Sequence, residues 1–147
     1  VTAAERARRS AAALLAGDRM AALLGVEVVD VGPGRATVRM RITEGMLNGV
    51  GTVHGGTVFI LADIAYGIAC NTHGRVTVSR SAEVIHIAPA HEGEVLVAVA
   101  RERSRRGRNG IYDVTVERDD GVVVAEFRAQ SRTLDRLHDG VTEDGAA

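Results

Sequence analysis

The sequence predicts an α+β fold in which an antiparallel sheet wraps around one long central helix. Three observations lead there. The stretch from Thr57 to Asn71 is apolar around almost the whole of a helical wheel, and Asp63 is its only charge. Two short runs of strand-like pattern precede it and four follow it, each bounded by turn residues. No strand alternates with a helix of its own, which excludes a doubly wound parallel sheet.

The elements follow in order. Arg8 and Arg9 precede an apolar run from Ala11 to Ala16, superficially like an export signal. The run is short and alanine-rich, Gly17 and Asp18 interrupt it, and a second helical pattern reaches Leu24 without a cleavage site, so a surface helix is expected. Val26 to Val31 is β-like. From Gly34 to Ile42, Ala36, Val38, Met40 and Ile42 share one face and Arg35, Thr37, Arg39 and Arg41 the other, the period of a half-exposed strand. Gly32-Pro33-Gly34 joins these two as a hairpin. The central helix, with so little polar surface, is expected to be enclosed on all sides. After Gly74, strands are expected over Arg75 to Ala88, Glu94 to Arg103, Ile111 to Arg118 and Val122 to Arg132, the last two joined at Asp119-Asp120-Gly121.

With 147 residues, 46% of them hydrophobic, the chain can bury one good core, and a single domain over 1–147 is expected: a core from about 18 to 134 and a frayed tail over 135–147. A net charge of -1 provides no global field for nucleic acid or an anionic membrane, so any anion site must be local. Only Phe59, Tyr66, Tyr112 and Phe127 are aromatic, too few for a single-strand stacking platform. The lone Cys70 cannot form an intrachain disulfide, and no apolar run is long enough to span a bilayer; a cytoplasmic protein is expected.

Chemistry is concentrated around the start of the apolar helix. Asn48-Gly49-Val50-Gly51-Thr52-Val53-His54-Gly55-Gly56 leads directly into it. First-turn N–H groups lack intrahelical partners and lie at the positive end of the helix dipole, so this is a natural oxyanion site, although a purely structural loop has the same composition. A dinucleotide fingerprint is rejected, because His54 stands where a third glycine is needed. Asp63 either accepts hydrogen bonds from a neighbouring element or serves as a general base or nucleophile in a partly desolvated cleft. Eight residues separate Gly55 from Asp63, roughly 12 Å along one helix axis, so one chain cannot easily aim both at one carbonyl. Two copies of the helix packed side by side in antiparallel sense would bring the Gly55 end of one to Asp63 of the other, giving two equivalent sites per dimer. His54 could act as acid or base, or tie down the loop. His86 and His91 lack a cysteine partner at zinc-ligand spacing, and no metal site is expected. The cluster Arg101, Arg103, Arg105, Arg106 and Arg108 is either a solvated strand end or a phosphate-binding rim of the kind coenzyme A would occupy.

Met46-Leu47-Asn48-Gly49, Thr52-Val53-His54-Gly55-Gly56, Leu61-Ala62-Asp63 and Ala69-Cys70-Asn71, in this order, resemble the phenylacetate-degradation (PaaI-type) hot-dog-fold thioesterases. The resemblance continues through Ile87 to Gly93 and Gly107 to Val114, covering roughly Asp18 to Leu134. It implies a hot-dog fold, obligate dimers with sites at the shared interface, commonly paired into tetramers, and hydrolysis of aryl-acetyl-CoA thioesters. Carried over by position, Asp63 attacks the thioester or activates water, the Gly55 N–H polarises the carbonyl and Asn48 positions the reacting groups. His54 and Gly56 belong to the substrate-binding motif, and Arg105, Arg106 and Arg108 form the expected CoA-side rim. Related enzymes with a hydroxyl one turn after the acid differ from this chain, which has Gly67 there. No cofactor is expected beyond the coenzyme A of the substrate. The alternative is a non-enzymatic acyl-CoA-binding sensor module on the same fold, which would have no need of an acid such as Asp63. A hydratase using His54 with an acid is a third reading.

Overall fold

The computed structural model describes residues 1–143. Two helices open the chain. Helix α1 (Ala3–Ala16) begins in a capping box, in which the Thr2 side chain accepts from Glu5 N–H and the Glu5 carboxylate accepts from Thr2 N–H. Helix α2 (Arg19–Leu24) is capped by Asp18 and ends at Gly25, whose φ of 66° is the left-handed conformation that glycine adopts without strain.

Six strands follow around one long helix: β1 (Glu27–Gly32), β2 (Arg35–Arg41), helix α3 (Gly55–Asn71), β3 (Arg75–His86), β4 (Val95–Arg106), β5 (Asn109–Arg118) and β6 (Val123–Leu137). They form a single sheet in the order β1-β2-β4-β5-β6-β3, with every neighbouring pair antiparallel. The period-two reading of β2 holds: Ala36, Val38 and Met40 are buried while Arg35, Arg39 and Arg41 face solvent. Their inward faces join Leu61, Ala62, Ala65, Ile68 and Ala69 of α3 in one core. All four aromatic rings gather where α3 meets the sheet. Tyr66 lies 5.6 Å from Tyr112 and 5.9 Å from Phe127, and Phe59 meets Phe127 edge-on at 5.3 Å.

Two expectations are corrected. The first concerns the tail. Strand β6 continues to Leu137, which pairs with Arg75; His138 is buried on Asn71, with its Nε2 2.7 Å from the amide oxygen, and Val141 is buried as well. Residues 135–141 are therefore built into the fold, because β3 begins one turn after α3 and offers them an edge to pair with; 144–147 lie outside the described residues. The second concerns α3. It is covered on the sheet side, but Gly56 is exposed and Phe59, Ile60, Asp63 and Gly67 are only half-buried. Spaced three and four apart, they form one stripe along the helix that the chain's own sheet does not reach. None of the helices among the described residues is long and apolar enough to cross a membrane.

Candidate active site

The loop before α3 is held by its own side chains and by its neighbours. The Asn48 side-chain oxygen accepts from the N–H groups of Val50 and Thr52, at 3.0 and 3.1 Å, while its amide donates to Thr52 Oγ1 at 2.8 Å. Val53 N–H donates to the Ala90 carbonyl and His54 N–H to that of Met46, both at 2.8 Å. Within one chain these contacts make Asn48 a brace of the loop that carries Gly55.

His54 is the N-cap of α3, and its Nδ1 accepts from Gly56 N–H at 3.0 Å. An accepting Nδ1 places the proton of the neutral ring on Nε2. The loop-tying reading of His54 is the one the geometry carries, and it takes up the Gly56 N–H that the sequence offered to substrate. Gly55, the first helical residue, keeps an N–H with no partner among the described residues. That donor stands at the positive end of a 17-residue helix. The His86 imidazole covers one side of it: a Cβ built on Gly55 would lie 3.1 Å from His86 Nε2. This close approach favours glycine at position 55, and His86 is a neighbour the sequence pattern did not reveal.

Asp63 lies two turns further on, half-buried, with no hydrogen bond or ion pair among the described residues. A structural role as acceptor for a neighbouring loop is therefore absent. Burial raises its pKa above the ordinary carboxylate value, and the negative charge of Asp18 adds to the effect. Perturbed by burial and open on one side, this carboxylate is a candidate for the acid–base or nucleophilic role expected from the sequence. Cys70, buried on the same helix, has its thiol pushed up to about 12, chiefly by burial, and is inert at neutral pH.

The arginine cluster is divided by the fold. Arg105 lines a small cleft with His73, Arg75 and Thr77, whereas Arg106 and Arg108 border a separate trough. Arg108 is paired with Asp135 at 2.6 Å, and Arg103 and Arg128 share Asp113. The three arginines expected to form one rim do not converge, because neighbours along a strand point to opposite faces. Among the described residues, no group of three or more His, Cys, Asp or Glu side chains could hold a metal ion.

A model of the thioesterase superfamily matches residues 50–125, a span that contains the glycine loop from Val50 onward, α3 and Asp63. Acyl-coenzyme A thioesterase PaaI of Escherichia coli K12 is 33% identical over 129 residues, which cover 88% of this chain and 92% of that protein. The structure of the E. coli PaaI protein from the phenylacetic acid degradation operon superposes with a TM-score of 0.90 at 32% identity, over 92% of this chain and 99% of the other. A variant of the phenylacetic acid degradation protein PaaI of Thermus thermophilus gives a TM-score of 0.77 at 32% identity, over 80% and 100% of the two chains.

Proposed function

The chain belongs to the thioesterase superfamily, and on that footing we propose that it hydrolyses aryl-acetyl-CoA thioesters to the free acid and coenzyme A at a site shared by two copies of the chain. The thioester hydrolase activity is that of its family. One observation carries the assignment to these residues: an unpaired, half-buried carboxylate on the open stripe of a helix whose first N–H is also unpaired.

Gly55 and Asp63 belong to the same straight helix and stand about 12 Å apart along its axis, so neither can complete a site with the other inside one chain. The open stripe of α3 supports dimerisation. So does β3, one of the two edges of the sheet, which exposes Val78, Ile85 and, just beyond it, Ile87. An antiparallel partner covering both would bring its Gly55 end to Asp63. The thioester carbonyl then accepts from the Gly55 N–H, a contact of the kind that removes about 3 to 4 kcal/mol of barrier. Asp63 either attacks the carbonyl carbon, forming a mixed anhydride that water then hydrolyses, or takes a proton from the water that attacks the carbonyl directly. In both routes the C–S bond breaks, the thiolate leaves and takes up a proton as coenzyme A, and the free acid is released. Phe59, one turn before Asp63 and half-buried, offers an aromatic wall on the same stripe and supports an aryl group as the acyl portion. No cofactor enters this scheme, and the single free cysteine is compatible with a reducing cytoplasm.

Free-thiol release from a panel of aryl-acetyl, benzoyl and aliphatic CoA esters tests the reading. Aryl-acetyl esters are expected to have the highest kcat/KM, and Asp63→Asn to lose about 10²- to 10⁴-fold on all of them. Near wild-type turnover by Asp63→Asn would remove Asp63 from the chemistry. Tight acyl-CoA binding without release by the wild type would establish the sensor module instead.

A further inference from the structure

Strands β3, β5 and β6 and the β4–β5 hairpin bring together three arginines that lie far apart in sequence: Arg80, Arg106 and Arg132. They border an open trough of about 640 Å³ at the hairpin end of the sheet. Arg80 and Arg132 both donate to one neutral oxygen, Asn109 Oδ1, at 3.3 and 3.5 Å. Two cations are thus drawn onto a single amide oxygen. None of the three has a carboxylate partner within ion-pair distance among the described residues, although Asp135, itself held by Arg108 and Arg75, feels the Arg132 charge. Elsewhere on the sheet Arg35, Arg39, Arg103, Arg108, Arg118 and Arg128 each have an acidic partner, while Arg41, Arg101, Arg105 and Arg136 have none among the described residues but do not share an acceptor as Arg80 and Arg132 do.

Position on the sheet explains how the convergence arises. Arg132 faces Asn109 directly in the β5–β6 register. Arg80 sits at the irregularity between Ser79 and Ser81, where the extra residue of β3 is released from pairing and can lean over β6 towards Asn109. Arg106 is the Cα partner of Asn109 across the hairpin. Two guanidinium groups on one amide oxygen and a third bordering the same trough, each with planar paired donors and no carboxylate partner among the described residues, match the oxygens of a phosphate group.

We infer that Arg80, Arg106 and Arg132, arranged around Asn109, form a phosphate-binding site. Its phosphate could come from the nucleotide end of the acyl-CoA substrate, in which case the inference rests on the proposed function and replaces the rim of Arg105, Arg106 and Arg108 with a different set. It could equally come from a free phosphate or nucleotide held away from the reaction.

The test uses the full chain and two ligand series. Calorimetry compares the binding of CoA, dephospho-CoA and inorganic phosphate to the wild type, Arg80→Gln, Arg132→Gln and the double variant; thiol release compares the acyl esters of CoA, dephospho-CoA and pantetheine. For a site that holds the 3′-phosphate, the wild type favours CoA over dephospho-CoA by about ten-fold in Kd and kcat/KM, and the double variant brings the two within about two-fold. For a site of free phosphate, the wild type binds inorganic phosphate, the double variant binds it at least about ten-fold more weakly, and the ester preferences do not change. Both substitutions are at exposed side chains, and an unchanged melting temperature shows that the sheet is intact. If the double variant binds CoA and phosphate as the wild type does, the site does not exist. That outcome leaves the thioesterase reading standing, whereas CoA binding without thiol release from any ester would overturn the thioesterase reading and leave the site.

Discussion

Gly55 is expected to act through its N–H alone, and proline is the substitution that isolates that atom. Position 55 is the first helical residue, where proline is well tolerated because the N–H it lacks has no intrahelical partner. The preceding residue is compatible too: His54 has φ -64° and ψ 132°, within the extended region that a following proline requires. The added Cβ meets His86 at 3.1 Å, and His86 is an exposed side chain that can shift by the few tenths of an ångström needed. Gly55→Ala adds the same Cβ but keeps the N–H, so the difference between the two variants reports the donor. Loss of an oxyanion donor is worth about 10²- to 10³-fold in kcat, and Gly55→Pro is expected to fall by that factor below Gly55→Ala, with α3 retained by circular dichroism.

The same variant tests whether the site spans two chains. Gly55→Pro supplies an intact Asp63, and Asp63→Asn an intact Gly55. Co-expressed in equal amounts with random pairing, they yield mixed dimers in which one of the two sites has both groups. With about half of the dimers mixed, about a quarter of the wild-type activity per chain is expected from two nearly inactive parents. Thiol release from the whole co-expressed mixture measures it, and the co-purified, doubly tagged mixed dimers alone should reach about half. A mixture no more active than its parents, with mixed dimers present, would refute the shared site; Gly55→Pro equal to Gly55→Ala would refute the oxyanion role.

Other outcomes follow from burial and charge. Because burial, and then Asp18, raise the Asp63 pKa, the acid limb of the kcat/KM profile is expected above the ordinary carboxylate range, and Asp18→Asn should move it down; an unmoved limb would show that Asp18 is not felt. A raised carboxylate pKa also means that ionised Asp63 costs stability, which is lost as pH rises through its folded value, so Asp63→Asn should melt above the wild type at neutral pH and converge with it at low pH. Cys70, with its thiol pushed up to about 12, should be silent to thiol reagents in the native protein and titrate fully in denaturant. His138 has a lowered pKa, chiefly because it is buried, with the Arg136 charge adding to this; its contribution is present above the unfolded value of about 6.5 and is lost as pH falls from there through the lower folded value, and hydrogen exchange at the end of β6 should quicken in that window before α3 is affected.

The fold and the position of the acid were legible in the sequence because both rest on local pattern. Alternation in β2 and the apolar wheel of α3 need only neighbours in the chain, and a lone Asp63 in such a wheel stands out against them. What was not legible depends on register. Arg80 and Arg132 read as ordinary exposed strand residues until an irregularity in β3 and the β5–β6 pairing place both on Asn109. Conversely, Arg105, Arg106 and Arg108 look like one cluster in the sequence, and the fold parts Arg105, which lines one cleft, from Arg106 and Arg108, which border another. The tail was misread for a similar reason: Asp135, Arg136 and Asp139 suggest solvent, but pairing to β3 and the buried contact between His138 and Asn71 outweigh their polarity.

The stripe on α3 connects stability with chemistry. A helix this apolar would ordinarily be covered completely, yet the sheet leaves Phe59, Ile60 and Gly67 partly open on the side that holds Asp63. Covering those residues with a second copy removes apolar surface from water, and the same contact further desolvates the carboxylate and brings up a helix N-terminus of opposite electrostatic sign. The dipole of the incoming helix then favours the ionised acid that burial disfavours. If the proposed dimer forms, it would offset part of the cost of keeping Asp63 charged, and an isolated chain would have the carboxylate without either the donor or the compensating field. Activity should accordingly fall with dilution along the same curve as dimer content measured by ultracentrifugation. Activity persisting in a monomeric fraction would separate the two.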